Sequence, residues 1–301
     1  MAAPQFPIRD NSQTGPPRAR AASLGKRVHQ IGFRLAAANT SLCDRTAMLT
    51  GMALHDVGAY RESDRPVIRQ AYHLDWGFGV LELVPGGPAD RAGLHVGDEI
   101  IEANGRDFSG FATNLISHSG SIERTRAMEI HLAEMMNSGS VVLVVRRDER
   151  RVTLILTGVR GCAASFEVSD AADLNAWSDG VDVAISAPLA AALPSDDELA
   201  FVLGHEMAHN IFHHAAALKG RSRILANLGI GAEKYRQSEL EADRLAVHIV
   251  TNAGYDWRGA AGALAKITLA RGGITLPTYP GLTVRLAAIQ HEGEALSPSP
   301  H

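Results

Sequence analysis

The sequence has few cysteines, no long apolar run and no excess of basic residues, and each shortage argues against a class of protein. Its two cysteines, Cys43 and Cys162, stand far apart and form no CxxC pair, so nothing indicates a thiolate zinc site. The longest apolar runs, such as 141–145, are much shorter than the roughly 20 residues of a membrane-spanning helix. A net charge of −4 provides no basic field for nucleic acid and no polybasic membrane patch.

Both ends of the chain are polar, and no secretory signal is visible. Residues 1–22 are rich in Pro, Gly, Ser, Arg and Gln, so we predict a disordered segment there and a flexible tail at 293–301. The opening MAAPQFPIRD lacks the apolar centre of a signal peptide, so the chain is either cytosolic or numbered from a point after processing. A chain of 301 residues, 46% of them hydrophobic, is long enough for two domains.

The middle of the chain is rich in predicted β-structure. An apolar strand, GFGVLELV, begins at Gly77, and a hairpin of two β-rich runs around a charged turn covers 141–158. Between them lie VPGGPADRAGLHVGDEIIEANG, with turn, helical-turn and strand signals, and a longer helix, IERTRAMEIHLAEMM. The first of these resembles the PAxxAGLxxGDxIxxxNG string of bacterial PDZ domains, through Pro88, Ala89, Ala92, Gly93, Leu94, Gly97, Asp98, Ile100, Asn104 and Gly105. We therefore predict a β-rich PDZ domain over 71–159.

The PDZ resemblance implies a site for a peptide. Such domains add an extended C-terminal peptide as a strand to a sheet edge, with its carboxylate held by backbone N–H groups of a glycine loop. By resemblance, Gly77, Phe78, Gly79 and Val80 form that loop. The alternative is a domain that binds no peptide because Trp76 and the long helical insert fill the groove.

Residues 23–70 are expected to pack on the C-terminal part of the chain. One helix face in this segment is apolar and carries Val28, Ile31, Leu35 and Ala36. A strand is predicted at 49–57. Since neither element can form a domain alone, we assign both to the same domain as residues 160–292.

The stretch HEMAH, which begins at His205, lies inside a strongly predicted helix. Ser195 and Glu198 match a capping box at the start of that helix. Residues four apart share a helix face, so His205 and His209 can offer ring nitrogens to one metal ion. Glu206 lies about 60° round the helix from His209, close enough to accept a proton from a metal-activated water. The alternative is a structural pair of histidines in an ordinary helix.

A second predicted helix supplies a candidate third ligand. In SELEADRLA, Glu239 and Asp243 are four residues apart and share a face, whereas Glu241 points elsewhere and is expected to meet solvent. Catalytic zinc sites use three protein ligands and leave one position open, so a carboxylate from this helix would complete a His-His-Glu set. Taken alone, ExxxD more commonly marks a solvated helix face.

The two motifs together resemble a known family. ELAFVLGHEMAHNIFHH followed by SELEADRLAV is similar to peptidase family M48, gluzincin metallopeptidases that include HtpX-type quality-control proteases and CAAX prenyl endopeptidases. Three further strings match: LNAWSDG, like the strand segment before the edge strand that pairs with substrate; AGYD; and YPGLTVRLAAI. The layout resembles a bacterial branch in which a PDZ domain is inserted into the peptidase.

This resemblance implies an α+β fold, a helical core with a small antiparallel sheet plus the β-rich PDZ domain. It implies one zinc ion per chain with His205, His209 and Glu239 as ligands. Glu206 would be the general base and acid. Asp243 would accept a ring N–H from a ligand histidine and fix its tautomer.

The chain departs from the family pattern at one place near the metal. Relatives have a histidine where this chain has Tyr279, whose hydroxyl is a candidate oxyanion donor, although a packing role is as well supported. Arg285 keeps its register and is a candidate to buttress the site. We expect His213, His214 and His248 to be packing or surface residues.

The cysteines leave two alternatives open on the residues alone, two buried thiols or one disulfide. The family's membrane-embedded branches carry transmembrane helices that this sequence lacks. The resemblance therefore favours an exported, periplasmic branch with a Cys43–Cys162 bridge; the alternative is a cytoplasmic protein.

The sequence thus predicts a zinc-dependent endopeptidase that hydrolyses unfolded or misassembled polypeptides. Its PDZ domain would recruit C-terminal peptides or regulate cleavage, and neither nucleic acid nor an integral membrane segment is expected. The alternative is a PDZ-containing binding or chaperone-like protein whose metal site is silent or autoinhibited. The oligomeric state is not predicted.

Overall fold

The computed structural model describes residues 19–60, 62–72, 74, 78–108, 123–270, 272–273 and 276–296. Residues 1–18 of the expected disordered segment and 297–301 of the expected tail lie outside the described residues. The chain divides into two compact units. The first unit takes in Met1–Lys26 and Ala47–Arg160, and the second unit takes in Arg27–Thr46 and Gly161–His301.

Helices and strands are numbered in chain order. The helices are α1 Ala19–Ala38, α2 Arg65–Tyr72, α3 Pro88–Arg91, α4 Glu123–Met136, α5 Ala187–Ala192, α6 Asp196–Ile211, α7 His214–Ala217, α8 Arg223–Asn227, α9 Glu233–Asn252, α10 Gly259–Ala270 and α11 Leu282–Leu296, with 3-10 turns at Thr40–Leu42 and Val57–Ala59. The strands are β1 Thr46–Leu49, β2 Met52–Asp56, β3 Phe78–Leu83, β4 Glu99–Ala103, β5 Arg106–Asp107, β6 Val141–Arg147, β7 Arg150–Leu156, β8 Val159–Cys162, β9 Phe166–Ser169, β10 Ala176–Ser178 and β11 Val183–Ser186.

The first unit is built on an antiparallel sheet with the order β2-β3-β4-β6-β7, and β5 pairs with β4. The predicted hairpin is present as β6 and β7, and its turn places Asp148 and Glu149 at positive φ. The inward faces of the strands and of α4 bury an apolar core that includes Phe78, Ile100, Leu132 and Leu143.

The structure explains two glycines, Gly93 and Gly97, and the aspartate Asp98 of the PDZ-like string. Gly93 and Gly97 adopt φ of +84° and +91°, a region that favours glycine. Asp98 is buried, and Arg147 donates to both of its carboxylate oxygens at 2.7 and 2.6 Å. The motif therefore closes the turn between α3 and β4 and ties it to the hairpin.

The predicted strand at 49–57 belongs to the first unit, which corrects its assignment to the C-terminal domain. It forms β2, which pairs along β3 with Met52 opposite Leu83 and Asp56 opposite Phe78. Met52 and Leu54 are buried in the core of that sheet, and this long-range burial determines where the strand belongs. The apolar face predicted for α1 is buried as expected at Val28, Ile31, Leu35 and Ala36.

The second unit is centred on α6, which packs against α9, α10 and the small sheet. That sheet has the order β10-β11-β9, and β11 runs antiparallel to β10 but parallel to β9. The sheet is therefore mixed rather than antiparallel as expected. The sheet is mixed because the chain reaches β11 from β9 by way of the edge strand β10.

The predicted helix with HEMAH is present, but two details of its ends differ. Ser195 is the N-cap and its hydroxyl accepts the N–H of Asp197, whereas Glu198 bonds Lys266 of α10 at 2.6 Å and does not complete the capping box. The helix ends at Ile211 rather than near Gly220, because His213 takes a left-handed φ of +54°.

The C-terminal helix also continues further than expected. α11 runs to Leu296, past the start of the predicted tail at 293. Gly293 is buried against the ring of Trp257, where a Cβ atom would lie 2.2 Å from the nearest ring atom. This close approach explains why glycine occupies this position of α11.

The predicted disulfide is present between Cys43 and Cys162, with sulfur atoms 2.00 Å apart. Both cysteines belong to the second unit, and the bridge joins its two chain segments. Among the described residues, no helix combines the length and the hydropathy that crossing a membrane requires.

Candidate metal centre

Two helices of the second unit bring three metal-binding side chains together. α6 presents His205 and His209 on one face, and α9, which packs on α6, presents Glu239. The Nε2 atoms of the two histidines are 3.1 Å apart. The Glu239 carboxylate lies 3.5 Å from Nε2 of His205 and 3.8 Å from Nε2 of His209. One ligand atom from each residue therefore lies within 4.8 Å of the other two.

This donor set fits a zinc ion. Two imidazole nitrogens and a carboxylate make up the His₂Glu set of catalytic zinc sites. Two rings that turn a nitrogen toward the same point need a proton or a metal ion between them, because two acceptor nitrogens repel. His205 is buried, and His209 and Glu239 are partly buried, so the donors converge in a pocket rather than on an open surface.

A buried ion pair lies behind His205. Nδ1 of His205 is 3.1 Å from Oδ1 of Asp243, one turn after Glu239 on α9. Arg285 of α11 grips the Asp243 carboxylate at 2.7 Å from Nε and 2.6 Å from Nη2. A planar guanidinium that holds a carboxylate with two bonds fixes its orientation. Asp243 is therefore placed to orient the His205 ring, with Nε2 directed at the metal position.

Opposite charges outweigh the effect of burial on the pKa values of His205 and Glu239, but not on that of His209. Burial alone would lower the pKa of His205, but Asp243 and Glu239 raise it to about 9. Burial would raise the pKa of Glu239, but His205, His209 and Arg285 lower it to about 2. The pKa of His209 is lowered to about 3, by burial and then by the charge of His205. The pocket thus holds an ionised carboxylate beside a positive charge, which a metal ion can supply in place of the proton.

Glu206 lies next to the edge strand β10. The hydroxyl of Ser178, the last residue of β10, donates to Oε2 of Glu206 at 3.1 Å. Burial raises the pKa of Glu206; the charge of His205 opposes that rise and the charge of Glu239 adds to it. A carboxylate of raised pKa suits proton transfer near neutral pH. The sequence analysis missed Ser178, although its place in the LNAWSDG string was an available signal.

His214 has a partner that the sequence analysis did not foresee. Its Nδ1 lies 2.9 Å from Nδ1 of His209, and its Nε2 lies 3.1 Å from Oε2 of Glu241. His214 is buried, and Glu241, which was expected to meet solvent, faces it from α9. His214 is thus a buried packing residue rather than a ligand, as expected, and Glu241 is partly exposed to solvent but also contacts His214. The His214 imidazole thus lies between His209 and the carboxylate of Glu241.

Three other predicted residues, Tyr279, His213 and His248, are not part of the three-residue ligand group. Tyr279 is partly buried and close enough to Arg285 to help raise the pKa of that guanidinium, after the larger effect of Asp243. His213 is exposed and lies 2.9 Å from Asp44. His248 pairs with Glu292 at 2.7 Å.

The predicted carboxylate loop of the PDZ domain does not match the structure. Gly77 lies outside the described residues. Phe78 and Gly79 are in β3, which is hydrogen-bonded on one side to β2 and on the other to β4. A central strand has no free edge for a peptide, so the groove must be sought beside β2, where the sheet ends.

Comparison with family models finds two matching regions in the chain. The model described as PDZ domain matches residues 23–117, a range that includes β2. The model described as Peptidase family M48 matches residues 161–232, which contain HEMAH but not Glu239. No curated protein matches the chain significantly. Each match covers less than half of the chain, which thus contains a region similar to peptidase family M48 and, ahead of its HEMAH helix, a region similar to PDZ domains.

Proposed function

We propose that this protein is a zinc-dependent endopeptidase that hydrolyses unfolded or misassembled polypeptides. The observation that carries the proposal is the convergence of His205, His209 and Glu239 from two helices, with Glu206 next to them. His205, His209 and Glu239 would hold the ion. A bound zinc ion supplies Lewis-acid chemistry, lowering the pKa of a water molecule and polarising a carbonyl oxygen.

Glu206 is the residue that moves the proton. Its carboxylate takes the proton of the attacking water and later gives it to the leaving amine, as a general base and then a general acid. Ser178 holds one oxygen of this carboxylate through its hydroxyl. The other oxygen is left for the water, which is the arrangement that a one-proton shuttle requires.

The edge strand β10 is the proposed place for the substrate backbone. β10 pairs with β11 and lies at the end of its sheet, so an extended polypeptide can add to its outer side. Asn210 of α6 accepts the N–H of Gly180 at 2.6 Å and donates to the carbonyl of Asp182 at 3.1 Å. These two bonds fix the turn after β10 to the helix that carries Glu206. A substrate strand would therefore be held at a fixed distance from the proton shuttle.

Tyr279 remains our candidate oxyanion donor, and Arg285 acts through Asp243 and Glu239. Arg285 lies 3.9 Å from Oε2 of Glu239 in addition to its grip on Asp243. One guanidinium thus lies close to two carboxylates of α9, those of Asp243 and Glu239. This supports a positioning role for Arg285 rather than contact with the substrate.

We infer that the protein works in an oxidising compartment such as the periplasm. The Cys43–Cys162 disulfide supports this, since disulfides persist in exported proteins and are rare in the cytosol. The PDZ domain supports recruitment or regulation by a peptide, because PDZ domains bind extended peptides.

The proposed function is tested by separating metal binding from hydrolysis. Purified protein is expected to contain about one zinc per chain and to cleave casein, with cleavage lost on chelation. Glu206→Gln is expected to keep the zinc and lose at least about 10²-fold in rate, the lower range for a general base. Zinc-loaded wild type that leaves casein and other unfolded proteins intact would favour the alternative, a PDZ-containing binding protein with a silent or autoinhibited metal site.

A further inference from the structure

The edge of the first unit's sheet that could accept a peptide is β2. It ends the strand order β2-β3-β4-β6-β7, and helix α4 packs against it. A strand at a sheet edge beside a helix offers both walls of a peptide groove: backbone groups on one side and side chains on the other. β2 and α4 both belong to the first unit, so the groove is a property of that unit alone.

In this structure two N–H groups of β2, those of Met52 and Leu54, are already bonded outside the sheet. The N–H of Leu54 turns away from β3 and donates to Oε1 of Glu129, on α4, at 2.9 Å. The N–H of Met52 donates to the hydroxyl of Thr50 at 3.3 Å. An added peptide strand would need the Leu54 N–H for one of its own carbonyl groups. The Glu129 carboxylate therefore occupies the position of a peptide acceptor.

Further contacts hold α4 close to the edge. Asp56, the last residue of β2, is buried and accepts from the Thr125 hydroxyl at 3.5 Å. The Arg124 guanidinium lies 3.8 Å from the same carboxylate. Thr125 and Glu129 are four residues apart, so one face of α4 makes both contacts with β2. The helix lies against the strand that a bound peptide would have to pair with.

Glu129 is an unusual residue for this place. Burial raises its pKa to about 7, and the Leu54 N–H and Arg126 only partly offset this. An apolar residue in its place would avoid the cost of desolvating a carboxylate, but it would leave the Leu54 N–H without an acceptor. If the Glu129 side chain rotates away, another acceptor can take its place at the Leu54 N–H. The pairing of β2 with β3 does not have to change for this exchange.

We propose that Glu129 plugs the peptide groove between β2 and α4, capping the Leu54 N–H until the backbone carbonyl of an extended peptide displaces it. The free domain is thus closed, and its ligand must compete with an internal carboxylate. Ligand binding frees the Glu129 side chain and lifts this contact between α4 and the edge strand. The proposal concerns the first unit and does not depend on the peptidase activity of the second.

The test compares Glu129→Ala with Glu134→Ala, which removes an exposed glutamate from the same helix. Both are made in the full chain with Glu206→Gln, so that no probe is cleaved. Amide hydrogen exchange at Leu54 is expected to accelerate at least tenfold in Glu129→Ala and to stay unchanged in Glu134→Ala. Equal protection of Leu54 in both variants would overturn the capping role.

Peptide binding is measured by selecting a display library of random heptapeptides with free C termini and titrating the selected peptides by fluorescence anisotropy. Glu129→Ala is expected to bind them at least tenfold more tightly than the parent and Glu134→Ala. Equal affinity in all three proteins, or no selected peptide for any of them, would overturn the plug. If Glu129→Ala does not fold, Glu129→Ser replaces it, because a serine hydroxyl is too short to reach Leu54.

Discussion

Each unit of the chain contains a desolvated glutamate on a helix, and the two respond to burial in opposite ways. In the second unit the pKa of Glu239 falls to about 2, because two imidazoles and Arg285 overcome the effect of burial. In the first unit the pKa of Glu129 rises to about 7, because one backbone N–H and Arg126 do not overcome it. Neighbouring charge, more than burial, decides whether such a carboxylate stays ionised. The surroundings of Glu239 keep it ionised, as a cation ligand must be. The surroundings of Glu129 leave it a hydrogen-bond acceptor that another acceptor can replace.

The largest effect is expected from Glu239→Gln. The amide has no charge and is a poor zinc ligand, so the site keeps two of its three protein donors and loses stoichiometric zinc at micromolar protein. Metal analysis of the purified variant and calorimetric zinc titration measure this. Glu233→Gln, which changes an exposed carboxylate on the same helix, is the matched control and should keep one zinc per chain. Equal zinc content in both variants would contradict the ligand role of Glu239.

The next largest effect is expected from substituting His214, which lies between His209 and Glu241. His214→Ala removes the imidazole that lies 2.9 Å from Nδ1 of His209, and loss of such a supporting contact weakens zinc binding by roughly 10–100-fold. His213→Asn changes the exposed residue one position earlier while keeping a side chain that tolerates the left-handed φ, and it is expected to leave the zinc affinity unchanged. Competition with a chromophoric chelator gives the two affinities. A His214→Gln variant that recovers part of the affinity would separate hydrogen bonding from packing.

A smaller effect is expected for stability in the first unit. The folded pKa of Glu129, about 7, lies above the unfolded value of 4.5, so the folded state binds the extra proton. The contribution of Glu129 to stability is therefore fully present below pH 4.5 and is lost as the pH rises through 7. Glu129→Gln removes this loss and should raise the free energy of unfolding of the first unit at pH 8 by about 2 kcal/mol. This is less than the free energy equivalent to the whole pKa shift, because the side chain is partly exposed. Urea unfolding at pH 4 and pH 8 tests it, since the gain should vanish at the lower pH.

Local patterns were sufficient for much of the candidate site. The helix of His205 and His209 and the helix of Glu239 follow from apolar periodicity and a capping residue, and the four-residue spacing places ligands on one face. The turn glycines Gly93 and Gly97 were likewise readable, because each takes a conformation that other residues avoid.

The missed features depend on contacts between distant residues. A helix continued past Ile211 would put His214 about 140° round from His209, off the metal face. Instead the left-handed turn at His213 directs it back toward His209, and one φ angle of this kind is not visible in periodicity. The unit to which β2 belongs depends on its pairing with β3, which follows it in the sequence only after α2. Its register, not its composition, decided which unit it joins.

The smallest expected effect tests the residue that links the sheet to the chemistry. Ser178→Ala removes one hydrogen bond to Glu206, a loss of about 1 kcal/mol, which corresponds to a roughly fivefold lower kcat. Zinc content should not change, because the Ser178 hydroxyl bonds Glu206, which is not one of the three proposed ligands. Steady-state cleavage of a quenched fluorescent peptide, with metal analysis of the same samples, separates the two readouts. A loss of zinc in Ser178→Ala would instead place the serine among the supports of the metal pocket, and an unchanged rate would remove β10 from the positioning of Glu206.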